Sequence, residues 1–362
     1  MIVDTTRFEI QPLHADALDD AAAYLGRRRP RVDGTSWAQH LRWLLVDNPL
    51  AASAPDHGLC VRDRAGVIAG LDLAFPAAFR SGETRLLALG SGGYFVEPEA
   101  RTLGFYLFKR HLQSPGVAFF FATSCNAASG ALWQALGACA AAECDVEYVV
   151  PLDLGMVVAA SLETRSANGL AVMAGRLAGR CATAVRAMRS RATDVTAEPC
   201  RDWDKLAELA RRHQPERWIT AERSAAYLRW RYGRRSPNHA AELGVLRDRR
   251  GNEGWFALQP TVRGERTRVR GRLLLDAVWP RDRMSVRDVV TAVARFAERD
   301  ADAIYVRPRP GVDYDACRPW IIRRRREPPP VFAVAARGHA PLTPSSLDLV
   351  LADGDGGFPD TP

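Results

Sequence analysis

Between Gly93 and Gly137 the apolar positions change period twice. Gly93-Tyr94-Phe95-Val96 is a short β-prone run that Pro98 ends, and from Leu103 onward Leu103, Tyr106, Leu107, Arg110 and His111 follow helical spacing. Val117 to Phe121 is an apolar strand, and Ala122-Thr123-Ser124-Cys125-Asn126 leads from it into a helix over 127–136 that Gly137 closes. Two strand–helix units in a row predict parallel or splayed strands with a ligand at their carboxyl ends. The turn Arg101-Thr102-Leu103-Gly104 between the first strand and its helix would point free backbone N–H groups and the positive end of a helix dipole at one spot. Glycine at 104 lets a ligand approach the backbone and Arg101 brings a forked cation, so the pattern predicts a pyrophosphate cradle.

The remaining pattern extends this. Phe8 to Leu13 predicts a strand, His14 to Leu25 a helix with acidic residues near its start, and Ser36 caps a helix over 37–46 that stops at Asn48-Pro49. Leu59–Val61 and Val67–Leu73 form a hairpin, and Arg85–Leu89 is a strand leading into Gly90-Ser91-Gly92-Gly93, where a bulge or close approach is expected. Val146 to Leu152 is the expected last strand of the first half. Alanine-rich 155–191 predicts one or two linking helices. The second half repeats the first: helices at 203–213 and 222–232, a hairpin at 241–247 and 254–258, a strand at 272–278, a Ser285-capped helix over 286–298, a strand at 303–306 and a final strand at 331–336. Its strand-to-helix turn, Trp279 to Met284, holds no glycine, so the second cradle is missing.

The order V-x-P-x-x-R-x-x-G, helix, apolar strand, N-x-x-S, helix, L-G-A is carried by Val96, Pro98, Arg101, Gly104, Asn126, Ser129, Leu136, Gly137 and Ala138. It resembles the acyl-CoA-binding half of the GNAT acyltransferase superfamily, in a tandem form with a degenerate second copy. The resemblance covers residues 5–153 and is strongest over 93–138. It implies an α/β, mixed-sheet (α+β) fold with two GNAT-like domains joined by a helical linker: 1–153, a linker over 154–192, a degenerate copy over 193–340 and an acidic tail over 341–362. It implies acetyl-CoA or another acyl-CoA as co-substrate, with Phe95 and Val96 pairing with the pantetheine arm, the amides of Arg101, Thr102, Leu103, Gly104, Phe105 and Tyr106 on the pyrophosphate, and Asn126 with Ser129 at the cofactor. The chain departs from the family at Tyr106, where glycine or alanine is usual, and at Trp133, where the family often has a tyrosine acid; indole cannot donate that proton.

For a base the sequence offers Glu97 and Glu99 beside the cofactor strand, which read equally as acids favoured at a helix start. Tyr227, Trp230 and Arg231 are candidates for substrate binding, by stacking on a sugar or base, or form a packed helix face with snorkelling arginines. The expected activity is N- or O-acyl transfer to a small-molecule, amino-sugar or peptide acceptor. A Fem-type transferase using aminoacyl-tRNA, with nucleic acid on the basic half, and a non-catalytic scaffold are the alternatives. Charge supports the asymmetry: residues 1–150 hold 13 basic against 16 acidic residues, and 151–362 hold 37 against 26. Lys109 and Lys205 are the only lysines among 50 basic residues, a compositional bias that weakens any reading of arginine clusters. Arg27 to Arg31 reads as a solvated loop or an anion contact, and Arg323 to Arg326 as a solvated loop. Asp353-Gly354-Asp355-Gly356 reads as a turn. Seven unpatterned cysteines predict neither zinc nor disulfides, Cys125 being a packing residue. No apolar run approaches a membrane span and the first residues show no signal pattern, so a cytoplasmic location is expected.

Overall fold

The computed structural model describes residues 7–28, 36–54, 56–163, 173, 175, 177–179, 193–237, 239–325, 329–350 and 353–354. Two mixed sheets carry it. The first runs in the order β1 (Phe8–Pro12), β2 (Gly58–Asp63), β3 (Ile68–Ser81), β4 (Thr84–Val96), β5 (Phe119–Ala122), β15 (Phe332–Ala335) and β6 (Cys139–Ala140); β9 (Ile219–Ala221) pairs with β3, and β16 (Leu347–Asp348) with β9. The second runs β14 (Ile322–Arg325), β7 (Val146–Pro151), β13 (Ala303–Val306), β12 (Val269–Val278), β11 (Glu253–Arg263), β10 (Glu242–Arg247) and β8 (Thr196–Pro199). Starting from β1 and β8 the two orders match: four antiparallel strands, a parallel neighbour, then two more. In each sheet the parallel pair is joined by a helix, α3 (Arg101–His111) between β4 and β5 and α8 (Val286–Ala297) between β12 and β13.

The repeat is not two contiguous halves. The compact units are Met1–Asp145 with Pro215–His239 and Glu327–Pro359, and Val146–Gln214 with Ala240–Arg326 and Asp360–Pro362. Val146 to Leu152, expected to close the first sheet, instead pairs as β7 with β13 and β14 in the second. Conversely β15 comes from the second half of the chain and closes the first sheet between β5 and β6. The expected boundaries at 153, 192 and 340 therefore do not coincide with these units. Each half hands its sixth strand to the other sheet, and local periodicity carries no record of which sheet a strand joins. Arg323 to Arg325, expected as a loop, is the edge strand β14, a position where charged side chains are common. The tail also differs from expectation: Leu347, Asp348, Val350 and Asp353 are buried, and Asp353 pairs with Arg223 at 2.9 Å. Asp355 and Gly356, Arg29 to Arg31 and most of the predicted linker lie outside the described residues, α5 (Leu154–Glu163) being the described linker helix.

In the first unit one face of the sheet packs Phe75, Phe79, Phe119 and Phe121 against α1 (Leu18–Arg28), α2 (Trp37–Leu41) and the π-turn Arg42–Val46. Ser36 and Gln39 form a capping box at the start of α2. The other face packs Ala74, Leu89, Phe108, Phe120 and Trp133 beneath α3 and α4 (Ala127–Ala135). In the second unit α8 lays its apolar side on Phe256, Leu258, Ala277 and Ile304. Six cysteines are described and all six are free thiols. Among the described residues no helix is long and apolar enough to cross a membrane.

Candidate functional site

The centre of the first unit is the place where β4 leaves β5. The two strands pair at Ala88↔Phe119, Leu89↔Phe120 and Gly90↔Phe121, and there the pairing stops. β4 continues to Val96 held by β3 alone, through Gly92↔Leu73, Phe95↔Leu71 and Val96↔Gly70, with a bulge between Leu71 and Leu73. Gly93 takes a φ of +58° at that bulge, a conformation glycine adopts without the steric penalty of a side chain. The edge of β4 from Ser91 to Val96 thus has no strand on its β5 side among the described residues, and a strand edge presents N–H and C=O groups to whatever lies beside it. Phe95 and Val96, two of the predicted cofactor residues, sit on this open edge and are half-buried.

After Val96 the chain makes one 3₁₀ turn, Pro98–Ala100, and enters α3 with no side-chain cap on its first amides. Arg101 and Thr102 are exposed at that helix start, Phe105 is half-buried and Tyr106 is 46% exposed. Leu103 faces inward onto Leu59, Val61 and Leu107, so only its backbone is available to a ligand. Gly104 departs from expectation. It is buried, and a Cβ there would run into the Tyr94 hydroxyl and stand 3.3 Å from Val96 Cγ2. The glycine makes room for a side chain of this protein. Burial, with Asp72 nearby, raises the pKa of that phenol.

Asn126 and Ser129 are brought together as a capping box at the start of α4: Asn126 Oδ1 accepts from the Ser129 amide at 3.0 Å, and Ser129 Oγ accepts from the Asn126 amide at 3.0 Å. Trp133, at the family's acid position, is 1% exposed and stacks on Phe120 with ring centres 4.9 Å apart. It is core. Of the two predicted bases, Glu97 forms an ion pair with Arg28, and Glu99 is exposed with no ion pair among the described residues. Beside Glu97 the Tyr24 phenol, 2% exposed, is pushed up to about 12 by burial and by the neighbouring carboxylate.

The three predicted substrate residues lie on α7 (Ala225–Tyr232) in the first unit, together with residues that periodicity did not single out. Trp230 stacks on Trp43 at 4.9 Å, each indole N–H donating to the other residue's backbone carbonyl, at 2.9 Å from Trp43 and 2.8 Å from Trp230. Tyr227 meets Trp230 edge-on at 5.7 Å. Arg231 is 1% exposed, its guanidinium 5.3 Å from the Trp43 ring centre and 5.7 Å from that of Trp230, with no carboxylate partner among the described residues and Nε unsatisfied. A buried guanidinium without an anion is costly, which sets this position apart from the exposed arginines around it.

The second sheet repeats this geometry with a different filling. There β12 pairs with β13 up to Leu274↔Val306, then runs on to Val278 against β11 with a bulge between Ala257 and Leu258. The divergence is repeated, but Arg309, 8% exposed, donates to the Ala277 carbonyl and sits 3.6 Å from Asp276. The open edge is filled by the chain itself. At the start of α8, Ser285 Oγ accepts from the Asp288 amide at 3.1 Å, so this helix start carries a side-chain cap where α3 has none.

The chain has the GNAT fold. It is similar to a GCN5-related N-acetyltransferase from Anabaena variabilis, with a TM-score of 0.57, 11% identity, and 91% of this chain and 73% of that one covered. A probable N-acyltransferase from Enterococcus faecalis matches with a TM-score of 0.56, 10% identity and the same coverage of 91% and 73%. Saccharomyces cerevisiae N-myristoyltransferase with bound myristoyl-CoA matches with a TM-score of 0.53, 11% identity, and 97% of this chain and 85% of that one. No family model and no curated protein matches the sequence. At these identities the likeness is one of fold.

Proposed function

We propose that the protein is an acyl-CoA-dependent acyltransferase, acetyl-CoA or a related thioester being the donor and an amine or hydroxyl of a small-molecule, amino-sugar or peptide substrate the acceptor. The observation that supports this best is the open edge of β4 from Ser91 to Val96 next to an uncapped helix start with Arg101 and Thr102 exposed. A pantetheine arm has amides that can pair with a strand edge, and a pyrophosphate suits the N-terminus of a helix. In this reading the backbone at Phe95 and Val96 aligns the arm, and Arg101, Thr102 and the first amides of α3 hold the phosphates. Asn126 and Ser129 shape the start of α4 beside them. Tyr227, Trp230 and Arg231 belong to the acceptor side, where the unneutralised guanidinium of Arg231 favours an acceptor that carries a carboxylate or another anion. The second unit, its own divergence filled by Arg309, acts as a support.

Calorimetry with acetyl-CoA tests the donor. Wild type is expected to bind at micromolar Kd and Arg101→Glu at roughly 10- to 100-fold weaker affinity, since a carboxylate then faces the phosphates at short range. Equal affinity in the two proteins would remove the phosphate site from α3, and absence of binding in both would remove acyl-CoA altogether.

A further inference from the structure

Within the first unit, α3 and the sheet enclose a polar cluster that packing alone does not call for. Asp72 on β3 is fully buried, Ser91 on β4 is 6% exposed and His111 in the last turn of α3 is 5% exposed. Ser91 Oγ donates to Asp72 Oδ1 at 2.8 Å, and His111 Nε2 lies 3.3 Å from Asp72 Oδ2. The place matters. Ser91 is the first β4 residue beyond the last β4–β5 pair, and the imidazole is 5.1 Å from the ring of Phe120 on β5, so the cluster stands at the vertex of the divergence. His111 also lines a cavity of about 290 Å³ whose floor is Leu59, Ala74 and Leu89 and whose rim includes Asp56 and Arg110. His111 Nε2 and Asp72 Oδ2 are both buried and form no hydrogen bond, but a carboxylate 3.3 Å from one ring nitrogen favours the tautomer that carries its proton there and leaves Nδ1 as the basic nitrogen.

We propose that His111, oriented by Asp72 and Ser91, is the general base of acyl transfer, and that the cavity beside it receives the amino group of the acceptor. This rests on the acyl-CoA reading above. The acceptor nitrogen, as a neutral amine, adds to the thioester carbonyl carbon and its proton passes to Nδ1 of His111. The C–S bond then breaks, and the thiolate takes that proton back from the imidazolium, leaving an amide, a free thiol and a neutral histidine. Asp72 on β3 and Phe120 on β5 lie against the imidazole; Ser91 on β4 and the Tyr94 phenol lie next to Asp72, and Arg110 on the same helix and Asp56, which also pairs with His14 at 3.5 Å, line the same cavity.

The test uses the full chain with ¹⁵N-labelled histidine rings, His111→Gln for assignment, acetyl-CoA as donor and ethanolamine as the amine probe. The wild-type His111 signal is expected to report a protonated Nε2 and a bare Nδ1, to shift on saturation with acetyl-CoA, and to lose its tautomer preference in Asp72→Asn. Thiol release with ethanolamine should fall about 10²- to 10⁴-fold in His111→Gln and lose its acidic limb, at unchanged acetyl-CoA affinity. A proton on Nδ1, or a His111 signal that stays fixed while other signals respond to acetyl-CoA, overturns the proposal and leaves the donor reading intact. If no signal responds to acetyl-CoA, both fall together.

Discussion

Gly104 separates two readings of one residue, and a double-mutant cycle decides between them. If the glycine exists to admit the Tyr94 hydroxyl, Gly104→Ala must push that hydroxyl away. The phenol ring is seated on Phe108, ring centres 4.7 Å apart, so the whole side chain has to move. Overpacking of this kind costs about 1–3 kcal/mol, against which alanine returns roughly 1 kcal/mol of helix propensity, for a net loss of about 0–2 kcal/mol. In a Tyr94→Phe background the obstructing oxygen is gone, the ring Cζ at 3.4 Å is an ordinary contact, and only Val96 Cγ2 at 3.3 Å has to give slightly. Gly104→Ala should then stabilise by about 1 kcal/mol. The sign reverses. Urea denaturation followed by near-ultraviolet circular dichroism reads this directly: at about 2–3 kcal/mol per molar urea, 1 kcal/mol moves the midpoint by about 0.3–0.5 M. The same sign and size in both backgrounds would refute the packing argument, and loss of acetyl-CoA affinity in the stable double variant would return Gly104 to the ligand.

Two further outcomes follow from the surroundings of particular rings. Trp133→Tyr should not supply a missing acid, because the new hydroxyl would be buried against Phe108 and Phe120; about 2–4 kcal/mol of stability should be lost with no gain in thiol release, and any gain would show that the position reaches the reacting atoms. The Tyr24 phenol titrates near 12 when folded against 10.0 when free, so between pH 10 and 12 only the unfolded chain loses that proton and the folded state loses about 1.4 kcal/mol per pH unit; Tyr24→Phe should flatten the alkaline fall in stability over that window, and an unchanged slope would place the phenol in contact with water.

Most of the local structure was legible because it rests on short-range chemistry. Strand periodicity gave β1 to β5, Ser36 and Ser285 marked helix starts, and Gly137 at φ +79° closes α4. The glycine cluster before Tyr94 does carry the bulge that lets β4 leave β5. What was not legible depended on partners distant in the chain. Nothing near Val146 says that β7 will pair with β13 and β14, and nothing near Asp353 says that Arg223 will neutralise it. In the candidate site, the strand and helix start could be read, but the base could not: Glu97 has the right address, yet an arginine 69 positions away pairs with it. His111 was visible only as a member of a helical repeat. Its meaning comes from Asp72 and Ser91, on two other strands.

The exchange of sixth strands makes a prediction about the chain as a whole. A fragment ending in the linker, residues 1–192, would lack β15, β9, β16 and α7, so β5 would lose its only partner beyond β4 and the faces that α7 and the tail cover would be bare. It would also carry β7 with no sheet to join. The complementary fragment, 193–362, would lack β7, the strand that lies between β13 and β14, leaving β14 with no neighbour. A seven-stranded sheet missing an inner strand loses two ladders of hydrogen bonds and the burial of Val146, Tyr148, Val149 and Val150, each fully buried hydrophobic side chain contributing about 1.5–3 kcal/mol. That loss is comparable to the whole stability of a domain. Neither fragment should fold alone, and coexpression of the two should restore a folded complex that binds acetyl-CoA as the intact chain does. A cooperative thermal transition in either isolated fragment would mean that the exchanged strands are dispensable, and the units would then be independent domains in spite of their crossed connections.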